Sequence, residues 1–199
     1  QERAEAELKN LKSQLNPHFL FNTLNNIYAL IAIDRDRAQK AVLELSRLLR
    51  YVLYENKERF VPIEQEINFL QDYIEVMRLR QNRQTHIDVN IDISQCTNCR
   101  IAPLLFIPLI ENAFKHGIDT MQKSFIEIEI TSPSDGTICC RVRNSYFPKN
   151  GEDHSGSGIG LDNIRRQLDL LYPQKYHFET TCIDNVFCAT LSINLHKTT

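Results

Sequence analysis

Apolar residues recur every three or four positions through the first part of the chain, and every second position through much of the rest. Leu8, Leu11 and Leu15 open the helical stripe, and Leu20, Leu24, Ile27 and Ile31 continue it beyond Pro17. Asp34 and Asp36 mark a turn, after which Ala38, Val42, Leu45, Leu48, Leu49 and Val52 form a second stripe. Two such helices joined by a few residues predict an antiparallel hairpin. Its apolar face has little core of its own and needs cover from the rest of the chain or from a second copy, so a homodimer is expected. A third helix is predicted to open at Pro62 in a first-turn position, with Glu64 and Glu66 near its positive end. Its face runs through Ile63, Ile67, Leu70, Ile74 and Met77, followed by Arg78, Arg80 and Arg83.

The pattern then changes period. His86 to Ile93 alternates, with Ile87, Val89, Ile91 and Ile93 on one side of a half-buried strand. Leu104 to His116 reads as a strongly apolar helix interrupted by Pro108. The runs FIEIEI (Phe125–Ile130) and TICCRVRN alternate on either side of Asp135-Gly136, a hairpin turn. Gly156 to Leu171 begins glycine-rich and becomes helical through Leu161, Ile164, Leu168 and Leu171. Two more strands, YHFETTCID and VFCATLSINL, flank Asp184-Asn185. Helices interspersed with two strand pairs predict an α+β protein whose mixed or mostly antiparallel sheet is covered by helices on one face. A doubly wound fold would require regular alternation of strand and helix.

Composition narrows the function classes. The 199 residues suffice for one full core and a smaller element. Basic and acidic residues, 23 against 25, leave a formal charge of -2, which gives no support to a non-specific grip on nucleic acid. No apolar run reaches the length of a membrane span. The opening QERAEAELKNLK lacks a signal-peptide core and reads as the interior of a longer protein, whose preceding part would be a sensor or a membrane anchor. Of the six cysteines, Cys96 and Cys99 make a single CxxC without a second pair at zinc spacing. Cys139 and Cys140 are neighbours on a strand and point to opposite faces. Six reduced thiols in a reducing compartment are therefore expected.

Three constellations carry chemistry. In QLNPHFLFNTLNN (Gln14–Asn26), Asn16, His18, Asn22, Asn25 and Asn26 interrupt an otherwise leucine- and phenylalanine-rich helix, and Pro17 lies immediately before the histidine. Either His18 is a neutral imidazole presented as a nucleophile, or it is an interface histidine bonded to one of the amides. In PLLFIPLIENAFKHG (Pro103–Gly117), Glu111 pairs with Lys115 and Asn112 with His116, each four apart and on one face. Such a carboxylate, amide and cation on an apolar floor suit a metal–triphosphate: Asn112 as Mg²⁺ ligand, Lys115 toward the phosphates, and Glu111 to orient or deprotonate the attacking group. The plainer alternative is a helix end with one ion pair and Gly117 as its cap. In GSGIGLDN, Gly156, Gly158 and Gly160 let backbone approach a phosphate at a helix N-terminus, or form a mobile loop before a helix.

Together and in this order, NPHFLFNTLN, IENAFKHG and GSGIGLDNIRRQL resemble the LytS/YehU-type sensor histidine kinases of bacterial two-component systems. The resemblance extends from about Leu8 to Leu195. It implies an N-terminal helical hairpin for dimerisation and phospho-acceptance over residues 1–58. A two-layer ATP-binding sandwich of the gyrase and MutL type (the Bergerat fold, with a mixed sheet) would occupy residues 59–199. It implies ATP and Mg²⁺ as cofactors, His18 as phospho-acceptor, Glu111 as catalytic acid, and Asn112 as the metal-binding amide. Lys115 and His116 fall on the phosphate side, Gly156, Gly158 and Gly160 in the glycine box, and Leu161 and Asn163 on the helix that follows.

Implied partners are a response regulator, often one with a LytTR DNA-binding domain, and a second copy of the chain. No direct nucleic-acid contact is implied, and membrane contact would come only through a missing N-terminal portion. The kinase part would then be the cytoplasmic domain of an inner-membrane sensor. Three departures stand out. Asn144, in VRNSYFPKN, replaces the aspartate that accepts from the adenine amine in related ATPases, bringing an amide oxygen without charge. Phe19 follows the histidine where other kinase classes carry an acid, and Phe187, Cys188, Ala189 and Thr190 stand where a Gly-Thr often occurs. A nucleotide-binding signalling scaffold without kinase activity and a hydrolytic ATPase are the competing readings.

Overall fold

The computed structural model describes residues 17–55, 58–79, 81, 84–96, 98–119, 121–134, 136–147 and 157–197. Leu8, Leu11, Leu15, Asp135 and Gly156, together with the segment between Phe147 and Ser157, therefore lie outside the described residues. The chain divides into two compact units, one of Gln1–Arg59 with Ile67–Gln81, the other of Phe60–Glu66 with Asn82–Thr199. No described helix is long and apolar enough to cross a membrane.

In the first unit, helix α1 (Pro17–Ile31) and helix α2 (Arg35–Arg50) form the hairpin the stripes predict. Asp34 caps α2, its carboxylate accepting from the Arg37 N–H at 3.0 Å. Ile27, Ala41 and Leu45 form a small core, with Leu20, Leu49 and Leu79 packed against it. The far part of α3 (Ile63–Arg78) completes this unit: Phe19 stacks on Tyr73 at 5.2 Å, Tyr51 stacks on Phe69 at 4.6 Å, and Arg47 forks onto Asp72. Burial raises the Glu44 carboxyl above its usual range, although Lys40 lies 3.7 Å away. One expectation fails here. Leu24, Ile31 and Val42 are about half exposed rather than core-facing, because Phe19 and Ala41 take inward positions beside the predicted Ile27, Ala38 and Leu45. Beyond α2 the chain widens into one π-helical turn, Tyr51–Glu55.

The second unit is built on a five-stranded sheet in the order β2–β4–β5–β7–β6. These strands are β2 (Thr85–Asp92), β4 (Ser124–Ser134), β5 (Thr137–Ser145), β6 (Tyr176–Ile183) and β7 (Val186–Asn194). Only β2 and β4 run parallel, so the sheet is mixed. Its inner face carries Ile126, Ile128, Ile130, Ile138, Cys140, Val142, Leu191 and Ile193, all buried. The outer face is polar, with Arg143 on Glu127 and Arg141 on Glu129 across neighbouring strands. That split is the physical meaning of the period-two pattern: one face is covered and the other meets water. Asp184 and Asn185, with φ of 50° and 59°, form the tight turn between β6 and β7.

Three very short strands escaped the periodicity: β1 (Val61–Pro62), β3 (Cys99–Ile101) and β8 (His196–Lys197) make a separate antiparallel sheet in the order β1–β3–β8. Pro62 therefore lies in β1 rather than in the first turn of α3, which begins at Ile63. Helix α4 is Ile107–His116, shorter than expected, and Pro108 opens it instead of interrupting it. Leu104 sits in the left-handed region at φ 61° and blocks an earlier start, whereas a proline in the first turn forfeits no helical hydrogen bond. The expectation of six reduced cysteines fails for one pair. The turn after β2 brings the Cα atoms of Cys96 and Cys99 to 5.7 Å, and the two are joined as a disulfide, both buried. Cys139, Cys140, Cys182 and Cys188 are free, with Cys140 buried and Cys139 partly exposed, as their opposite strand faces require.

Helix α5 (Ser157–Leu171) packs with α4 on the sheet. Its end is anchored by Tyr172, fully buried, whose hydroxyl accepts from the Ala102 N–H at 2.7 Å. Burial pushes the phenol up to about 12, with the Ala102 bond opposing and the Glu66 charge reinforcing the shift. A raised folded-state value means the stabilisation is complete below the unfolded value and is lost as pH climbs through the folded one. Tyr172→Phe is expected to cost about 1–3 kcal/mol, since the Ala102 N–H loses its acceptor. It should also flatten the loss of stability between about pH 10 and 12 that the wild-type tyrosine contributes. Urea melts of both proteins across that range test it, and equal curves would remove Tyr172 from the account.

Candidate nucleotide site

Helix α4 positions the second motif by its amphipathicity. Ile107, Leu109, Ile110, Ala113 and Phe114 are buried and hold the helix to the sheet. Glu111, Asn112 and His116 are half-buried on the remaining surface, and Lys115 is exposed. A carboxylate, an amide, an imidazole and an ammonium thus share the last turns of one well-anchored helix. Helix α5 carries Gly158 and Gly160 in its first turn, then Leu161, half-buried, and Asn163, exposed. It is held from below by Ile164 and Leu168, both buried. The two helices that carry the amide motif and the glycine motif, α4 and α5, are in contact.

Asn144 lies on β5, opposite Ile126 on β4 and Phe187 on β7, and is only 1% exposed. Its Nδ2 donates to the Ser145 carbonyl at 2.7 Å. A carbonyl only accepts, so this bond fixes which end of the amide is which. The other end, Oδ1, is buried and has no hydrogen-bond partner. Such an orphaned acceptor costs free energy unless something donates to it. Gly117, just past α4, lies directly against this side chain. A Cβ on Gly117 would fall 2.6 Å from the Asn144 Cβ and 2.8 Å from its Nδ2. The end of the helix bearing Glu111 to His116 therefore abuts Asn144. Nearby, the Ser145 hydroxyl accepts from the Phe125 N–H at 2.9 Å, and Tyr146 donates to the Asn185 carbonyl at 2.7 Å, holding the end of β5 in place.

The remaining predicted residues are His18 and Gly156. His18 is in the first turns of α1, in the first unit, and is described by its backbone alone. Gly156 is outside the described residues. On α5 the Arg165 guanidinium sits 4.6 Å above the Phe178 ring and donates to that residue's carbonyl. Among the described residues, no cluster of three His, Cys, Asp or Glu side chains forms a metal cage. Asn112 offers a hard amide oxygen instead, the kind of single protein ligand that suits a magnesium ion held mainly by phosphate oxygens and water. Gly117 does cap α4, as the plainer alternative had it, but its contact with Asn144 is not legible in the sequence, since nothing in the order of residues places β5 against that helix end.

Residues 6–85 match the histidine kinase family profile. The chain is similar to the sensor protein LytS of Oceanobacillus iheyensis, at 30% identity over 89% of this chain and 33% of the relative. It is similar to the sensor histidine kinase YpdA of Escherichia coli, at 33% identity over 87% of this chain and 32% of that one. In fold it resembles the histidine kinase domain of the Erythrobacter litoralis EL346 blue-light activated histidine kinase. There the TM-score is 0.51 at 13% identity, covering 98% of this chain and 96% of the other. The mixed sheet with helices on one face is thus the fold seen in that histidine kinase domain. Over nearly nine tenths of its length the chain is similar to LytS-type sensor histidine kinases. It spans about a third of the length of the curated relatives it matches.

Proposed function

We propose that this chain is the kinase portion of a two-component sensor, in which residues 1–58 carry the phospho-acceptor His18 and residues 59–199 bind ATP to phosphorylate it. The observation that carries the ATP reading is the buried, unpartnered Oδ1 of Asn144 against the end of α4. The adenine amine is a donor that would satisfy it, and the bond from Nδ2 to Ser145 keeps the acceptor in place. Asn112 would hold Mg²⁺, which draws charge from the phosphates when bound. Lys115 and His116 lie on the same helix end as a phosphate-side pair, while Gly158 and Gly160 expose the first N–H groups of α5 for an anion. Leu161 and Asn163 would border the nucleotide, and Gly156 would extend the glycine box. Glu111 would orient the His18 imidazole or take its proton, because Phe19 supplies no neighbouring acid.

Dimerisation through the hairpin is supported by its surface. Phe21, Leu24, Tyr28 and Ile31 recur at three- and four-residue spacing along α1, and all are more than half exposed. Val42, Leu43, Leu53 and Tyr54 add to this uncovered apolar area, which a second copy would bury. Phosphohistidine would then pass its phosphoryl group to a response-regulator aspartate, the regulator being of the LytTR type. The kinase portion would work in the cytoplasm, attached to the membrane through other parts of the protein. Incubation with labelled Mg²⁺-ATP should place an acid-labile, alkali-stable phosphate on the chain. ATP binding with no such label would favour a nucleotide-binding scaffold, and ATP turnover with no label a plain ATPase.

A further inference from the structure

The conformation of Gly117 does not itself call for glycine. Its φ of −90° and ψ of 2° are open to any L-residue. What excludes a side chain is contact. An added Cβ would stand 2.6 Å from the Ala113 carbonyl oxygen, 2.6 Å from the Asn144 Cβ and 2.8 Å from the Asn144 Nδ2. The Gly117 N–H already donates to that same Ala113 carbonyl at 2.8 Å, closing the last turn of α4. Asn144 has no room to retreat through its backbone, because its strand is paired with β4 on one side and β7 on the other. The parts that can yield are the Asn144 amide and the end of α4. Moving the amide disturbs the 2.7 Å bond to Ser145 that aims Oδ1. Moving the helix end shifts Lys115 and His116 relative to that oxygen.

We propose that Gly117 is a positioning residue for base selection: its missing side chain seats the Asn144 amide, so that a 6-amino purine is accepted and a 6-oxo purine is refused. The inference rests on the nucleotide reading above and assigns the selectivity to a contact between α4 and β5. A 6-amino group donates to Oδ1, whereas the 6-oxo group of inosine would set two acceptors against each other in a buried place. Gly117 touches no substrate in this account and acts only through Asn144.

The test compares ATP with inosine triphosphate on the whole chain, by calorimetric binding to wild type, Gly117→Ala, Asn144→Ala and the double variant. Wild type is expected to prefer ATP by roughly tenfold or more, in line with one buried hydrogen bond gained against one acceptor clash. Gly117→Ala should lose most of that preference, and the double variant should lose no more than Asn144→Ala does alone. A purely structural glycine would lower the melting temperature and leave the ATP-to-ITP ratio intact, which would overturn the proposal. Wild type that does not distinguish the two nucleotides would overturn the base reading itself, and this inference with it. If Gly117→Ala does not fold, amide NMR of the wild type decides. The Gly117 N–H and the Asn144 side-chain NH₂ should shift together with ADP and stay in place with IDP; a Gly117 signal indifferent to ADP would refute the coupling.

Discussion

His18→Gln is expected to abolish acid-labile phosphorylation completely while leaving ATP affinity as it was. Glutamine keeps polarity and a good helix propensity but has no ring nitrogen able to attack phosphorus. His18 belongs to α1 in the first unit, whereas Asn112, Asn144, Gly158 and Gly160 all belong to the second. Removing the imidazole should therefore end transfer and spare binding. Labelling with γ-labelled ATP, followed by acid treatment and by calorimetric titration of the same variant, reads both quantities. Label that survives in His18→Gln would place the acceptor elsewhere. A matching loss of ATP affinity would mean the histidine helps build the nucleotide site.

Asn112→Ala is expected to slow labelling on the order of 100-fold, which corresponds to about 2.7 kcal/mol of barrier. Alanine is the best helix former, and Asn112 is only half-buried, so α4 should persist through its apolar anchors Ile110, Ala113 and Phe114. What disappears is an amide oxygen for a hard cation. The rate should respond to magnesium differently as well: wild type saturates, and Asn112→Ala should need far more metal for the same fraction of its maximum. Asn112→Asp keeps an oxygen ligand and should retain more activity than alanine. Initial rates over a magnesium series settle this, and an unchanged metal dependence in Asn112→Ala would detach that residue from the ion.

Much of this architecture was readable from local patterning, for reasons that differ between elements. Alternation in Phe125–Ile130 and in TICCRVRN reports a sheet with one wet face, and Cys139 and Cys140 divide between the faces accordingly. The helical stripes located α1, α2 and α3, because burial of one face imposes a period near 3.6. Their precise inward residues were less legible, since small Ala41 permits close approach where the hydrophobic scale favours Val42. The start of α4 was misplaced because only the backbone at Leu104 shows that the helix cannot begin there. Strands of two or three residues, such as β1 and β8, are too short to display any period at all.

The sequence by itself nominated the side chains proposed to carry the chemistry: His18, Glu111, Asn112 and the glycines stand out by residue type, spacing and resemblance, because donors, ligands and bare backbone are local properties. It also announced the substitution at Asn144. Only the tertiary structure decided that Asn144 is buried with one oxygen left over, that Gly117 presses against it, and that Cys96 and Cys99 are joined. Those facts depend on how closely a helix end approaches a strand, or one turn folds on itself. Distances between segments far apart in the chain are set by packing, which no short stretch of residues encodes.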